Sequence, residues 1–199
     1  MQTQQTINAW YTFIANRYEG IMTPHEVPNA RQQLIDLLAL APGDRLLEVA
    51  SGTGKNYAHY PSHVRANAVD INPEMHERAL RESERLGLSI EHRLADAAAL
   101  PFADREFDAA MITYGLSAIP NQRAALREMT RVVRRGGRIG VLDFDFIPDG
   151  AVSELGVVPL QLWQLLTKSA DAEILKECNI RAEIVMGLAG QSIYVLTVR

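Results

Sequence analysis

Seven short stretches of the chain are apolar at nearly every position or at every second one, and the intervals between them carry apolar residues three and four apart. The short stretches read as strands at 45–50 (RLLEVA), 66–71 (ANAVDI), 90–94 (IEHRL), 107–113 (FDAAMIT), 138–144 (RIGVLDF), 180–186 (IRAEIVM) and 192–198 (SIYVLTV). The early ones are almost continuously apolar, which suits strands covered on both faces. The pattern therefore predicts an α/β fold, a doubly wound and mostly parallel sheet of about seven strands with crossover helices. Asn72-Pro73 supplies a cap and a first-turn proline for a helix over EMHERALRESERL, and Gly87 can end it in a left-handed conformation. Asn121 likewise opens QRAALREMTRVVRR, whose Leu126, Met129 and Val133 share one face before Gly136-Gly137. Gly187-Leu188-Ala189-Gly190-Gln191 joins the last two strands as a hairpin, so one antiparallel pair closes the sheet.

Near the start, Ile7, Trp10, Tyr11, Ile14 and Tyr18 follow i, i+3, i+4, i+7 and i+11, one helical face of large apolar residues. No internal repeat, low-complexity tract or linker divides the chain. It reads as one domain over 1–199, with an N-terminal helical segment (1–28), a core (29–146) and a C-terminal part (147–199) of a short apolar stretch, a last helix and the hairpin.

Length and charge narrow the function. A chain of 199 residues buries a full core without disulfides or metals. Twenty basic against 24 acidic residues give a net charge of −4 and no electrostatic footprint for nucleic acid. The single cysteine, Cys178, excludes an intrachain disulfide, and no cysteine and histidine cluster has zinc-ligand spacing, so no metal is expected. MQTQQTINAW lacks the basic start and apolar core of a signal peptide, and no stretch approaches the ~18 apolar residues of a spanning helix. A cytoplasmic protein is the expectation.

The chemistry centres on LLEVASGTGKNY, residues 46–57, where an apolar run breaks into a glycine turn. Three nucleotide-binding families place a strand, a glycine loop and a helix in this order. A Walker-type phosphate loop needs glycine five residues before Gly54 and a hydroxyl after the lysine; here those positions hold Val49 and Asn56. A dinucleotide fingerprint needs a third glycine where this chain has Tyr57. What survives is a loop that approaches a ligand through its backbone without an obligatory diphosphate, as S-adenosylmethionine requires. Asp70 closes the second strand, where a carboxylate can accept from both hydroxyls of a ribose, and Asp96 closes the third, placed to accept from an adenine amino group. Singly, each has a plainer use as a turn residue; together at successive strand ends they line one crevice.

Five segments in order, LLEVASGTG, AVDINPEM, LADAAALPF, FDAAMITYGL and LREMTRVVRRGGRIGVLDF, resemble the class I S-adenosylmethionine-dependent methyltransferases, and the likeness covers residues 29 to 145. It is nearest the small-molecule branch that acts on quinone precursors and phospholipid amines. The resemblance implies a Rossmann-like fold and S-adenosyl-L-methionine as cofactor, released as S-adenosyl-L-homocysteine. It implies that Ala50, Ser51, Gly52, Thr53 and Gly54 surround the aminoacyl end with Glu48 near its amine. Asp70 would bind the ribose, Ile71 and Met75 would flank the adenine, Asp96 and Ala97 would hydrogen-bond it, and Thr113 would present a carbonyl. Members often carry Gly where this chain has Ala50 or Ser51, which makes the turn less open.

The acceptor is expected to be a small, largely apolar molecule methylated at nitrogen, oxygen or carbon, with a phospholipid amine as the alternative and a non-methylating binder of the cofactor as another. WYTFIANRYEGIM resembles the segment with paired tyrosines that lids the site in this branch, so Tyr11 and Tyr18 are expected at cofactor or acceptor, and Tyr11 as a hydrogen-bond donor more than a base. His25, just after that segment, is the one histidine placed to act as a general base; its plainer use is as a turn residue beside Pro24. His59, His63, His76 and His92 read as surface or turn residues. The apolar VVPLQLWQLL, 157–166, is expected to roof a pocket or pack in the core, with a second subunit or a lipid surface as its other uses. Residues 1 to 23 lack the basic excess that draws helices to anionic lipid, so membrane contact is not favoured. The protein is expected as a monomer or homodimer. The arginines at 131, 134, 135 and 138 are read as complementing a helix C-terminus.

Overall fold

A computed structural model describes residues 4–144, 180–188 and 191–199. Its strands are β1 (Arg45–Val49), β2 (Arg65–Asp70), β3 (Ile90–Leu94), β4 (Phe107–Thr113), β5 (Val133–Phe144), β6 (Ile180–Leu188) and β7 (Gln191–Val198). They form one sheet in the order β3-β2-β1-β4-β5-β7-β6. The first five pair in parallel, and β7 runs antiparallel between β5 and β6. The chain steps outward from β1 to β2 and β3 on one side and then returns to lay β4 on the other. The ends of β1 and β4 therefore flank the switch point at which open α/β sheets hold ligands.

Consecutive residues of the central strands face opposite layers, which explains their unbroken apolar character. Leu47, Val49, Ala110, Ile112, Ile139 and Val141 pack with Ala125, Leu126 and Met129 of α5 (Gln122–Val132). Leu46, Ala109, Met111 and Leu142 pack on the other face with Leu34, Ile35 and Leu38 of α3 (Ala30–Leu38). α3 lies close against β5 because Gly140 has no Cβ; one placed there would meet Leu34 at 2.7 Å.

Two further helices are α1 (Gln4–Ile14) and α2 (Tyr18–Met22), and α4 spans Pro73–Leu86. The α4 caps are those the sequence predicts. Asn72 Oδ1 accepts from the backbone N–H of Glu74 and Met75, and Gly87 ends the helix at φ 65°. The α1 face is broken where the periodicity predicted one helix. Residues 15–17 form a turn, so Tyr18 opens a second helix, although its ring still reaches Tyr11 at 5.8 Å between centroids. Ile7 and Ile14 are buried as expected.

Three other expectations are corrected. α5 stops at Val132, and β5 begins at Val133, which pairs with Phe107; the ladder then skips to Arg138 opposite Ala109, with Gly136 at φ 75° inside the irregularity. Strand pairing with β4 takes residues that helical periodicity had claimed. Of the four arginines only Arg131 sits in a helix's last turn, where it holds Glu128, Asp104 and the carbonyls of Leu100 and Phe102. Nor does an α-helix follow the glycine turn. The connection from β1 to β2 is only residues 50–64, with a single 3-10 turn at Tyr57–His59 and Pro61 just beyond it. The predicted apolar 157–166 segment and the last helix lie outside the described residues.

Candidate functional site: a cleft over the ends of β1, β2 and β4

The turn after β1 is held by backbone in conformations that side chains disfavour. Gly52 and Gly54 have φ of 58° and 84°, and Ala50 adopts φ 53° despite its methyl. That methyl is accommodated because residue 115 is glycine; a Cβ there would lie 2.9 Å from it. The alanine in the turn is thus matched by a glycine packed against it. Tyr57 answers the question of the missing third glycine. Its buried ring lies on Gly54, where a Cβ would come within 2.5 Å of it, and no helix is present that would need close packing. Without that helix the loop also lacks the dipole end that holds a diphosphate.

Asp70 anchors the turn. One carboxylate oxygen accepts from Gly52 N at 2.8 Å and the other from Asn72 N at 2.8 Å. Burial raises the pKa of this carboxyl, against the opposing effect of those N–H groups. Asn72 in turn donates to Asn8 O at 3.0 Å and Thr12 Oγ1 at 2.9 Å, tying α1 to the strand ends.

Between these elements lies a cleft of about 670 Å³ including its open mouth. Its floor is Ala50, Ser51, Gly52 and Thr53, with Asp70 and Ile71 beside them and Met75 from α4. Ile7, Tyr11 and Tyr18 wall one side, and Thr113, Tyr114 and Gly115 another. A side chamber of about 300 Å³ shares Ala50, Asp70 and Ile71 and is completed by Asp96 and Ala97. Ten of the residues singled out from sequence meet in the cleft and two more in its side chamber. Asp96 is exposed and accepts from Ala98 N at 2.8 Å. Glu48 and Gly54 line neither space. Glu48 is buried behind the loop, where it accepts from Asn56 Nδ2 at 2.6 Å and from the Tyr60 hydroxyl. His25 ends a 3-10 turn at Thr23–His25, and its side chain lies outside what is described.

A polar chain that brings Arg31 and Lys55 into the lining of the cleft escaped the sequence reading. Arg31 on α3 donates to both oxygens of Glu26 at 2.9 and 2.8 Å and to Asn56 Oδ1 and Thr113 Oγ1 at 2.8 and 2.9 Å. Its guanidinium also lies 4.8 Å from the centre of the Tyr114 ring. Lys55 reaches Glu26 at 2.9 Å and Thr23 at 2.7 Å, and Thr53 donates to Glu19 at 2.9 Å. No spacing rule brings Arg31, Asn56 and Thr113 together; only the parallel order of the strands does.

Burial raises the Glu48 pKa to about 7, with hydrogen bonds from Tyr60 and Asn56 opposing it. Burial disfavours ionisation of Glu26 too, but Arg31 and Lys55 outweigh it and hold that carboxyl low. Tyr11 and Tyr18 are both pushed well above the ordinary phenol range, chiefly by burial, so they stand in the cleft as neutral hydroxyls. His92 departs from its expected surface role: it is half-buried, bonds Ser83 Oγ at 3.1 Å, and is lowered to about 4 by burial and by His76. Among the described residues no group of three His, Cys, Asp or Glu is placed to hold a metal. No described helix is long and apolar enough to cross a membrane.

The sequence family described as "Methyltransferase domain" matches residues 47–141, which run from within β1 to within β5 and take in the glycine turn, Asp70 and Thr113. Over that span the chain belongs to the class I S-adenosylmethionine-dependent methyltransferases. The cofactor that goes with this family is S-adenosylmethionine. The ubiquinone/menaquinone biosynthesis C-methyltransferase of Ruegeria sp. is 34% identical over 130 residues, 63% of this chain and 52% of that one. The chain thus spans about half the length of the curated relatives it matches. Among solved structures, the [4+2]-cyclase SpnF superposes with a TM-score of 0.76 at 19% identity, covering 99% of this chain and 97% of that one. Phosphoethanolamine N-methyltransferase 2 of Haemonchus contortus, solved with phosphomonomethylethanolamine and S-adenosylhomocysteine, gives 0.69 at 13% identity over 86% of this chain and 53% of that one. At such identities these two show the fold alone.

Proposed function

We propose that this methyltransferase domain binds S-adenosylmethionine in the cleft and passes its methyl group to a small, largely apolar acceptor. One observation carries the reading: the floor is backbone and carboxylate, whereas the N-terminal wall presents Ile7 and the Tyr11 and Tyr18 rings, with Asn8, Arg31 and Lys55 as its polar members. Open space lies over Gly52, and nothing stands within 4 Å of where its Cβ would be. Asp70, fixed by two N–H donors, keeps lone pairs for the ribose hydroxyls, and the side chamber with Asp96 and Ala97 suits the adenine. When bound, the cofactor supplies a sulfonium methyl whose in-line transfer to nitrogen, oxygen or carbon leaves S-adenosyl-L-homocysteine.

The chain's own contribution is to hold and to dry the reactants. Ile7 and the Tyr11 and Tyr18 rings exclude water from one side. Their neutral hydroxyls orient a polar atom of the acceptor as donors; phenols with raised pKa do not accept its proton at neutral pH. His25, by its place after α2, is the proposed base for a hydroxyl or acidic carbon acceptor. The relative from Ruegeria sp. is named for quinone biosynthesis, and this supports a quinone precursor as the first acceptor to try.

Calorimetry with S-adenosylmethionine and with a nicotinamide dinucleotide tests the binding half; only the first is expected to bind. Release of S-adenosyl-L-homocysteine across quinone-precursor, amine and phospholipid-amine acceptors tests the transfer half. Binding without release from any acceptor would favour a non-methylating use of the cofactor.

A further inference from the structure

A second groove runs outside the cleft, between the N-terminal helices and α4, with about 770 Å³ of open space including its mouth. Arg78, Arg81 and Arg85 line it from α4. Their spacing of three and four places them in a row along one helix face. Opposite stand Asn16 and Glu19, and Thr53 of the cofactor turn closes its inner end. Thr53 lines both the groove and the cleft.

The three guanidiniums are unequally engaged. Arg81 pairs with Glu77 at 3.1 Å and Arg85 with Glu82 at 2.6 Å, but both pairs are on the surface, with the arginine side chains 62% and 65% exposed. Such pairs are weakly held and are readily exchanged for another anion. Arg78 bonds only the neutral amide oxygen of Asn16, and its Nε is buried with no hydrogen-bond partner. A buried donor left unmade is costly and is relieved by an acceptor. The two carboxylates in the lining are already engaged, Glu82 by two donors of Arg85 and Glu19 by Thr53. The groove therefore presents donors in excess.

We propose that this groove is a binding site for a phosphate-type anion, held by Arg78 with Arg81 and Arg85 turning toward it. A row of guanidiniums over two helical turns is wider than the two oxygens of a carboxylate and matches an anion whose oxygens point in several directions. The site does not depend on the methyl-transfer reading.

Titration of the full chain with inorganic phosphate and with glycerol 3-phosphate, at constant ionic strength in chloride, is expected to give saturable one-to-one binding. Arg78→Gln should weaken it about tenfold, the loss of one charge-assisted bond, and the exposed Arg81→Gln should weaken it less, with thermal unfolding confirming that both variants fold. Vesicles of phosphatidylcholine with and without phosphatidylglycerol form the second arm. Binding of the free esters identifies a soluble phosphate. Binding only to the phosphatidylglycerol vesicles, weakened by Arg78→Gln, identifies a lipid headgroup in the same site. The proposal is overturned if neither arm shows binding, or if Arg78→Gln and Arg81→Gln both leave the affinity unchanged.

Discussion

The two sides of the cleft are built by different means. The floor is fixed by backbone: parallel ladders carry β1, β2 and β4 to a common level, three left-handed residues turn the chain at 50–54, and Asp70 holds the turn through main-chain N–H groups. The N-terminal wall is fixed by side chains: Asn72 to α1, Thr53 to Glu19, Lys55 and Arg31 to Glu26. A surface made of main chain cannot shift without breaking the sheet, whereas one tied by side-chain bonds opens at the cost of a few local contacts. Under the proposed function, the rigid floor holds the cofactor and the more yielding wall the acceptor.

The contrast can be broken most sharply at Arg31, whose pair with Glu26 leaves the two side chains only 12% and 10% exposed. Arg31→Met should strand the Glu26 carboxylate and cost about 3–5 kcal/mol, partly relieved by Lys55. Limited proteolysis should then cut before residue 26 while the sheet survives. Equal loss of sheet and wall would make them one cooperative unit.

Glu48 tests the floor through pH. Its pKa is raised from 4.5 to about 7 in the folded chain, so between those values the folded state holds more protons than the unfolded one. Stability therefore falls as pH rises from about 4.5 to about 7, by up to about 3 kcal/mol. Glu48→Gln should flatten the thermal midpoint over that window and raise it at pH 8. An unchanged pH profile would show that Glu48 does not titrate there.

Asp70→Ala should lower S-adenosylmethionine affinity by about 10- to 150-fold, the loss of charge-assisted bonds worth roughly 1.5–3 kcal/mol. An unchanged dissociation constant removes Asp70 from the site. On the wall, Tyr11→Phe should weaken acceptor binding by about 1 kcal/mol, some fivefold in KM, and leave cofactor affinity alone. Smallest of all is His25→Ala, with less than about a tenfold loss of turnover where an amine is the acceptor. Abolished transfer with cofactor affinity intact would instead mark an oxygen or carbon nucleophile and His25 as its base.

Most of the floor was legible because its requirements are local. Left-handed turns demand glycine, a strand end followed by Asn-Pro announces a cap, and buried parallel strands are apolar at every position. The wall was legible only as an apolar helical face, and the break at residues 15–17 was not, since nothing in periodicity marks a turn that keeps both flanking tyrosines together. Arg31, Asn56 and Lys55 were missed for another reason: their partners lie on elements apart in sequence. The C-terminal limit of α5 went wrong where VRR satisfied two patterns at once and pairing with β4 decided it.

The missing helix between β1 and β2 also bears on how the chain finds its fold. Arg45 pairs with Arg65, only twenty residues on, whereas Leu46 meets Ala109, sixty-three on. Closing the shorter loop is cheaper by about 1 kcal/mol of chain entropy. The truncated crossover makes β1 with β2 the shortest-range parallel pairing among the described strands. Their amides should gain protection first in pulse-labelled refolding, ahead of those that join β1 to β4. The glycine turn is then shaped at the nucleation step, before the wall that faces it exists.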